Sequence, residues 1–410
     1  MGSGNFPIYL HEYPLCKDRF VGVHVSAVLF WILKQYHQVL GQDIKKRVEN
    51  ALSNAIEHSI KTHADKSAPY ILAIKIGAVA KAAGQLLGNE SFERAGESIL
   101  EQAKSSADLL SWNCPASLGV ILSALSMVYT NINGSPWSDF WRHVEFTWDR
   151  NTCSFAGPAV KEWQQGSEPQ VTLYDFFMGY YGGVLPGRVQ RPTPVHLEAM
   201  LIPQNDAFIQ PFSLPFDLDQ NLGIAKFHMH QNEFLSYCIL ESDKLTINPM
   251  WEKGVHSLRL AWGDPQRMHT FVCQGGNSQS ISYKVSPNAI EMLFDLKMPA
   301  GVEDREKNRE VVFFVDAHEG LDFLVSGHRS STFKLDDVVT MQSDRLKLTL
   351  TYALVEGEGR FFGHRMLGNR ESQLDVKGSN RYNAFDWQIF LRSISRSENC
   401  KIRVRIEFEK

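Results

Sequence analysis

The hydrophobic period of the chain changes once, near residue 150, and that change limits what it can fold into. Between about residues 20 and 150 apolar side chains recur every three to four positions, the spacing of a helix with one buried face. Over residues 21–40, Val25, Val28, Leu29, Ile32, Leu33 and Tyr36 form such a stripe. Gly41-Gln42-Asp43 interrupts it, and residues 44–60 carry a second stripe of Val48, Leu52, Ala55, Ile56 and Ile60. A third helix is expected from Ser67, with Pro69 in its first turn and Ala73, Gly77, Ala80 and Gly84 permitting close helix contact. Asn89 caps a fourth reaching about Leu109, Pro115 opens a fifth to about Tyr129, and Ser135-Pro136 opens a sixth that includes Trp137, Phe140, Trp141, Phe146 and Trp148. Six helices joined in short-linked pairs predict stacked antiparallel αα-hairpins.

Beyond residue 150 the pattern alternates. Residues 256–262, 345–354 and 401–409 place apolar and polar side chains in strict succession, the mark of strands with one wet face. Residues 311–315, Val-Val-Phe-Phe-Val, are continuously apolar and predict a central strand buried on both sides. Such runs return every 10 to 15 residues or so with turn residues between them, so the sheets are expected to be antiparallel. Residues 151–193 are rich in Gly, Pro and aromatics, with one helical turn near Leu173 to Met178, and read as a junction. The expected fold class is α+β: a helical hairpin domain over 1–150, a junction over 151–193, and a large antiparallel β-sandwich over 194–410. The charge run 303–309 reads as a solvated hairpin tip.

Composition removes several functional classes. The 42 basic and 46 acidic residues give a net charge of -4, which offers neither nucleic acid nor an anionic membrane a basic surface. Six cysteines without a CxxC spacing read as reduced thiols rather than a disulfide framework or a structural zinc site. The first 20 residues lack a basic segment followed by an apolar one, so no secretory leader is expected there; a cytoplasmic location follows unless a leader has been removed ahead of them. Neither a phosphate-binding GxxxxGK[ST] loop nor a GxSxG nucleophile elbow is present.

Three groups of residues have chemistry to offer. His228-Met229-His230 puts two imidazoles on one face of a strand, where they either transfer protons, hold a metal if a third ligand such as Glu233 arrives, or serve as plain strand residues. At the start of the fifth helix, Trp112 can stack on a sugar ring and Asn113 can polarise a carboxylate, although Asn113 is also a natural helix cap. At the junction, Lys161, Trp163, Tyr180 and Tyr181 form an aromatic and polar cluster, with Arg188 and Arg191 as carboxylate receptors on a proline-bearing loop. The same aromatics would serve equally as packing between domains. Carboxylates that a glycoside hydrolase would need are offered by Asp149, Glu162, Glu168 and Asp175.

The succession of helical hairpins and sandwich, with the block 113–120 (Asn-Cys-Pro-Ala-Ser-Leu-Gly-Val) and Ala156-Gly157-Pro158, resembles the heparinase II/III-like, chondroitinase-like and alginate-lyase-like polysaccharide lyases. The resemblance implies an (α/α) toroid, incomplete here because six helices are roughly half a ring, and β-elimination on a uronate-containing glycan without a cofactor or metal. It implies an acidic polysaccharide or oligosaccharide as partner. For such a reaction, the residues expected at the domain junction offer Tyr180, Tyr181, His228 and His230 as catalytic groups and Trp112, Asn113, Lys161, Trp163, Arg188 and Arg191 as substrate contacts. Two blocks depart from the pattern: Ala116-Ser117 stands where Thr-Tyr is expected, and Val160-Lys161-Glu162-Trp163 where Ser-Arg-x-Tyr is expected. These departures suit an alternative in which the architecture persists as an inactive carbohydrate-binding or protein-interaction module. For the latter, exposed Trp137 and Trp141 would supply a docking face.

Overall fold

A computed structural model describes residues 4–7, 11, 16–106, 115–157, 173–181, 213–221, 226–241, 257–264, 268–273, 277–299, 309–315, 320–371 and 385–410. The chain divides into two compact units, one of residues 1–145 and 171–211, the other of residues 146–170 and 212–410.

The first unit is helical. It contains α1 (Val21–Tyr36), α2 (Gln42–Asp65), α3 (Tyr70–Leu87), α4 (Glu90–Lys104), α5 (Pro115–Val128), nearly all of α6 (Ser138–Phe146), and α7 (Leu173–Tyr181). Helix α3 is central and touches α1, α2, α4 and α5. Its apolar stretch is long enough to cross a membrane by composition, yet the run from Ala73 to Gly84 is almost wholly buried against its neighbours. Small residues explain how one helix meets so many. A Cβ added to Gly77 would stand 2.9 Å from Leu100 Cγ and 3.0 Å from the Gly96 carbonyl, and one added to Gly96 would stand 2.6 Å from the Gly77 carbonyl. Between α3 and α4 the chain reverses through Gly88 in the left-handed region, φ 69°, and Asn89 then caps α4 by accepting from the Ser91 and Phe92 amides.

Several helix limits differ from expectation. Pro69 precedes α3 as its cap rather than lying in its first turn. Helix α4 stops at Lys104, with the Ser105 hydroxyl donating to the Gln102 carbonyl, rather than running on to Leu109. The sixth helix begins at Ser138, and Trp148 lies beyond it in a strand. Trp137 and Trp141 are both buried, so they provide no exposed docking face.

The second unit opens with a two-stranded hairpin, β1 (Trp148–Asp149) and β2 (Ser154–Phe155). It continues with β3 (Phe216–Asn221), β4 (Lys226–Gln231), β5 (Leu235–Glu241), β6 (Leu258–Gly263), β7 (Met268–Cys273), β8 (Ser278–Ser286), β9 (Ala289–Leu296) and β10 (Arg309–Val315). The last strands are β11 (Asp322–Val325), β12 (Thr332–Lys334), β13 (Val339–Gln342), β14 (Lys347–Glu356), β15 (Gly359–Glu371), β16 (Phe385–Arg396) and β17 (Lys401–Glu409). They form a nine-stranded sheet in the order β12-β15-β16-β10-β7-β6-β5-β4-β3 and a six-stranded sheet in the order β11-β13-β14-β17-β9-β8. All ladders are antiparallel, as the absence of crossover helices in the sequence requires. With helices first and antiparallel sheets after, the fold class is α+β as expected.

The core lies between the two sheets. Phe313 on β10 stacks on Phe271 of β7 at 4.9 Å between ring centroids and meets Phe294 of β9 edge-on at 6.2 Å. Val311, Phe313 and Val315 join this inner core, while Val312 and Phe314 cluster with Val272 and Phe390 on the opposite face. The continuously apolar run is therefore a central strand buried on both sides, between β7 and β16. Of the charge run 303–309, only Arg309 lies in the described residues, where it opens β10. Glu310 and Arg396 form a fully buried ion pair at 2.6 Å, with Ser393 and the Lys297 carbonyl completing its hydrogen bonds. The described cysteines, Cys16, Cys153, Cys238, Cys273 and Cys400, are free thiols, as their spacing suggested.

The close α3–α4 contact predicts that Gly96→Ala destabilises the helical unit by about 2 kcal/mol, because the new methyl meets α3 backbone rather than a flexible side chain. Urea unfolding followed by far-ultraviolet circular dichroism measures the loss, and an unchanged midpoint would contradict the packing.

Candidate functional site

On a strand, residues two apart share a face, so His228 and His230 were bound to point the same way. Register fixes what they meet. Strand β4 pairs with β3 so that His230 faces Asp217 and His228 faces Asp219, and with β5 so that His230 faces Tyr237 and His228 faces Ile239. Tyr237 and Ile239 belong to the inner core, so both histidines and both aspartates lie on the inner side of the nine-stranded sheet. The opposite side of β4 and β5 is tied to the β1–β2 hairpin. There Gln231 donates to the Trp148 carbonyl at 3.0 Å, and Ser236 donates to Asp149 at 2.8 Å.

The four side chains form one hydrogen-bonded group. His228 Nδ1 bonds Asp219 Oδ1 at 2.9 Å, and His230 Nδ1 bonds Asp217 Oδ1 at 2.7 Å. The imidazoles are 9% and 12% exposed, whereas the Asp217 and Asp219 side chains are 57% and 82% exposed. The rings are buried and the carboxylates reach solvent. His230 is satisfied at both nitrogens. The Asn232 amide nitrogen lies 3.1 Å from His230 Nε2, and its orientation is set because Asn232 Oδ1 accepts from the Phe234 and Leu235 amides that turn the chain into β5. His230 Nε2 is thus the acceptor and Nδ1 the donor. His228 differs: its Nε2 is buried without a hydrogen-bond partner, 3.3 Å from Asp217 Oδ1. Two acceptors facing each other at that distance repel unless a proton or a cation stands between them.

Tyr237 forms the floor, with its ring stacked on His230 at 5.0 Å and tilted against His228 at 5.7 Å. Burial first, then the nearby charges of Asp217 and Asp219, push the Tyr237 phenol well above its ordinary value. Tyr283 on β8 is raised for the same reasons, with Asp219 and Glu241 as its charged neighbours. Both phenols are thus harder to ionise than a free tyrosine.

Asp217, His228 and His230 place one ligand atom each within 4.8 Å of one another. The third member of the metal-type group is thus Asp217 from the neighbouring strand, in place of Glu233, which lies in the turn after β4. No local spacing could have revealed Asp217, since only strand pairing brings it to the histidines.

Other expected site residues fall elsewhere. Trp112, Asn113, Lys161, Trp163, Arg188 and Arg191 lie outside the described residues, as do Glu162 and Glu168. Tyr180 and Tyr181 end helix α7. Asp149 is fully buried and accepts from the Asn151 amide and the hydroxyls of Thr152 and Ser236, which makes it the anchor of the β1–β2 hairpin instead of a hydrolytic carboxylate.

No protein-family model matches the chain, and no curated protein does. Among solved structures it is similar to a heparinase III with methylated lysines, at 11% identity and a TM-score of 0.39 over 99% of this chain and 71% of that one. It is also similar to a mutant chondroitin AC lyase of Streptomyces coelicolor A3, at 10% identity and a TM-score of 0.44 over 93% of this chain and 66% of that one.

Asp149→Ala is expected to cost about 3 kcal/mol, because two buried hydroxyls and an amide lose a charged acceptor. Chemical denaturation of the variant measures it; a stability equal to wild type would return Asp149 to the list of functional carboxylates.

Proposed function

We propose that the chain is a carbohydrate-active protein that cleaves a uronate-containing acidic polysaccharide or oligosaccharide by β-elimination. The observation that supports this reading is the group at β3, β4 and β5: two imidazoles in contact with two carboxylates, beside a phenol held neutral. Elimination removes the proton at C5, breaks the bond from C4 to the glycosidic oxygen, forms the C4–C5 double bond and protonates the departing oxygen. Charge that develops on the uronate carboxylate must be neutralised as the proton leaves.

Each requirement has a candidate in this chain. Asn113, with Arg188 or Lys161, takes the uronate carboxylate, and Arg191 lies on the same loop as Arg188. Tyr180 and Tyr181 are the candidates for base and acid, and His228 and His230 are further candidates for proton transfer. Trp112 and Trp163 stack on sugar rings. Tyr237 is excluded from the base role by its raised pKa.

Incubation with a panel of uronate polymers, read by the ultraviolet absorbance of the unsaturated product, tests the proposal. Product formation is expected, with a loss of at least about tenfold in Tyr180→Phe if its hydroxyl moves the proton. Binding of these glycans without any unsaturated product would show that the architecture has kept recognition and lost the chemistry.

A further inference from the structure

We propose that Arg309, His364 and Arg392, on the outer side of the nine-stranded sheet, bind a tetrahedral oxyanion, a sulfate or phosphate group, with Lys334 and Arg360 adding to the positive field around it. The site lies on the opposite side of the sheet from His228 and His230 and does not rest on the elimination reading. Val311, Phe333, Phe361, Ile389 and Leu391 belong to the inner core, so a period of two sends Lys334, Phe362, His364, Phe390 and Arg392 to the other side. A bulge at Glu310 leaves Arg309 opposite Arg392. Register then sets Arg309 on β10, Arg392 on β16, Phe362 on β15 and Lys334 on β12 in one row across four strands, and in the next row Phe390 faces His364. The chain's net charge of -4 conceals this basic face.

Arg392 carries the argument. Its Nε is buried without a hydrogen-bond partner, and a dry guanidinium donor costs free energy until an acceptor reaches the group. Among the described side chains of these four strands the only acid is Glu310, and it is taken up by Arg396 and Ser393. The strands therefore bring Arg392 no counter-charge. Its neighbours are held in place around one aromatic ring. Arg309 donates to Gln388 Oε1 at 3.0 Å, and its guanidinium lies 4.7 Å from the centre of the Phe390 ring. His364 stacks on the same ring at 5.3 Å. Burial first, and then the charges of Arg392 and Arg309, lower the His364 pKa below its ordinary value, so both guanidiniums act on the position of one imidazole.

Donor groups from three strands suit a ligand with oxygens on several sides. A carboxylate presents two oxygens in one plane and is filled by a single guanidinium fork. Sulfate and phosphate present three or four, enough for a fork from one arginine, a donor from the other and the N–H of His364. A doubly charged ion also matches the two guanidiniums and removes the repulsion between like charges that face each other across β10 and β16. Lys334 and Arg360 are exposed and act on the ion through their charge.

The test uses the full-length chain in equilibrium dialysis and calorimetry, with inorganic phosphate, inorganic sulfate and glucose 6-sulfate as probes and glucose as the control, at an ionic strength held constant with chloride. One saturable ion per chain is expected for wild type. Arg392→Gln should weaken binding by about tenfold or more, and Arg392→Lys, which keeps the charge and loses the fork, by less. Arg360→Gln and Lys334→Gln should each cost about twofold. His364→Glu sets a negative charge among the cations at a half-buried position and should abolish binding, so it decides the matter even if Arg392→Gln fails to fold. Tighter binding of glucose 6-sulfate than of inorganic sulfate identifies an ester on a larger ligand; equal or weaker binding identifies the free ion. Absence of saturable binding to wild type overturns the proposal, and so does binding that Arg392→Gln or His364→Glu leaves unchanged. None of these probes carries a uronate, so their outcome is separate from that of the elimination assay.

Discussion

The unequal width of the two sheets is the constraint on which the sheet unit depends. Nine strands face six, so the inner surface of the larger sheet outruns its partner. Up to β5 the inner positions are apolar, with Tyr237 and Ile239 packed into the common core and β5 in contact with β8, the edge of the smaller sheet. At β4 the inner positions become His228 and His230, and at β3 they become Asp217 and Asp219. A surface that has lost its facing sheet has no apolar layer to bury against, so polar side chains are favoured there. The candidate site lies where hydrophobic pairing of the sheets ends.

Two buried charged groups elsewhere in the unit have their hydrogen bonds made. Glu310 and Arg396 are both excluded from water, and each finds partners beyond the other: Ser393 donates to the glutamate, and the guanidinium donates to the Lys297 carbonyl. Asp149 is held by three donors in the same manner. These groups have their hydrogen bonds made, which is how a protein tolerates a desolvated charge. His228 Nε2 differs from these groups, and within its own cluster every other imidazole nitrogen is satisfied.

Strands with a single buried face were legible from alternation: residues 345–354 and 401–409 became β14 and β17, paired along nearly their whole length. Central β10 was legible from its unbroken apolar run. Helix order was legible too, while the helix ends near Lys104 and Ser138 were not, since serines there satisfy backbone groups that an amphipathic stripe does not report. Strand β3 shows why the site was only half visible. Its sequence, Phe-Asp-Leu-Asp-Gln-Asn, alternates as a strand with an apolar side, and alternation alone would turn Phe216 and Leu218 to the sandwich core. The structure turns them the other way, where Phe216 stacks on Phe146 at 4.6 Å, and this sends Asp217 and Asp219 inward beside the histidines. Alternation gives the period of a strand but not which side faces which neighbour; that depends on a residue about 70 positions away, which no local window contains.

Inward charges on an edge strand also have a plain role, since they discourage pairing with another chain. Strand β3 is the edge of its sheet, and Asp217 and Asp219 would serve that purpose wherever their side chains came to rest. Edge protection, however, requires only that a charge be present. It does not require a carboxylate to stand 3.3 Å from an unpartnered buried nitrogen, nor a second carboxylate to orient the same ring from behind. A guard would be satisfied by lysine or glutamate pointing anywhere along the edge, whereas convergence of Asp217, His228 and His230 restricts residue type, register and rotamer together. Restriction at all three levels is what a bound species demands of its site, and it is more than the folding of an edge strand demands of its charges.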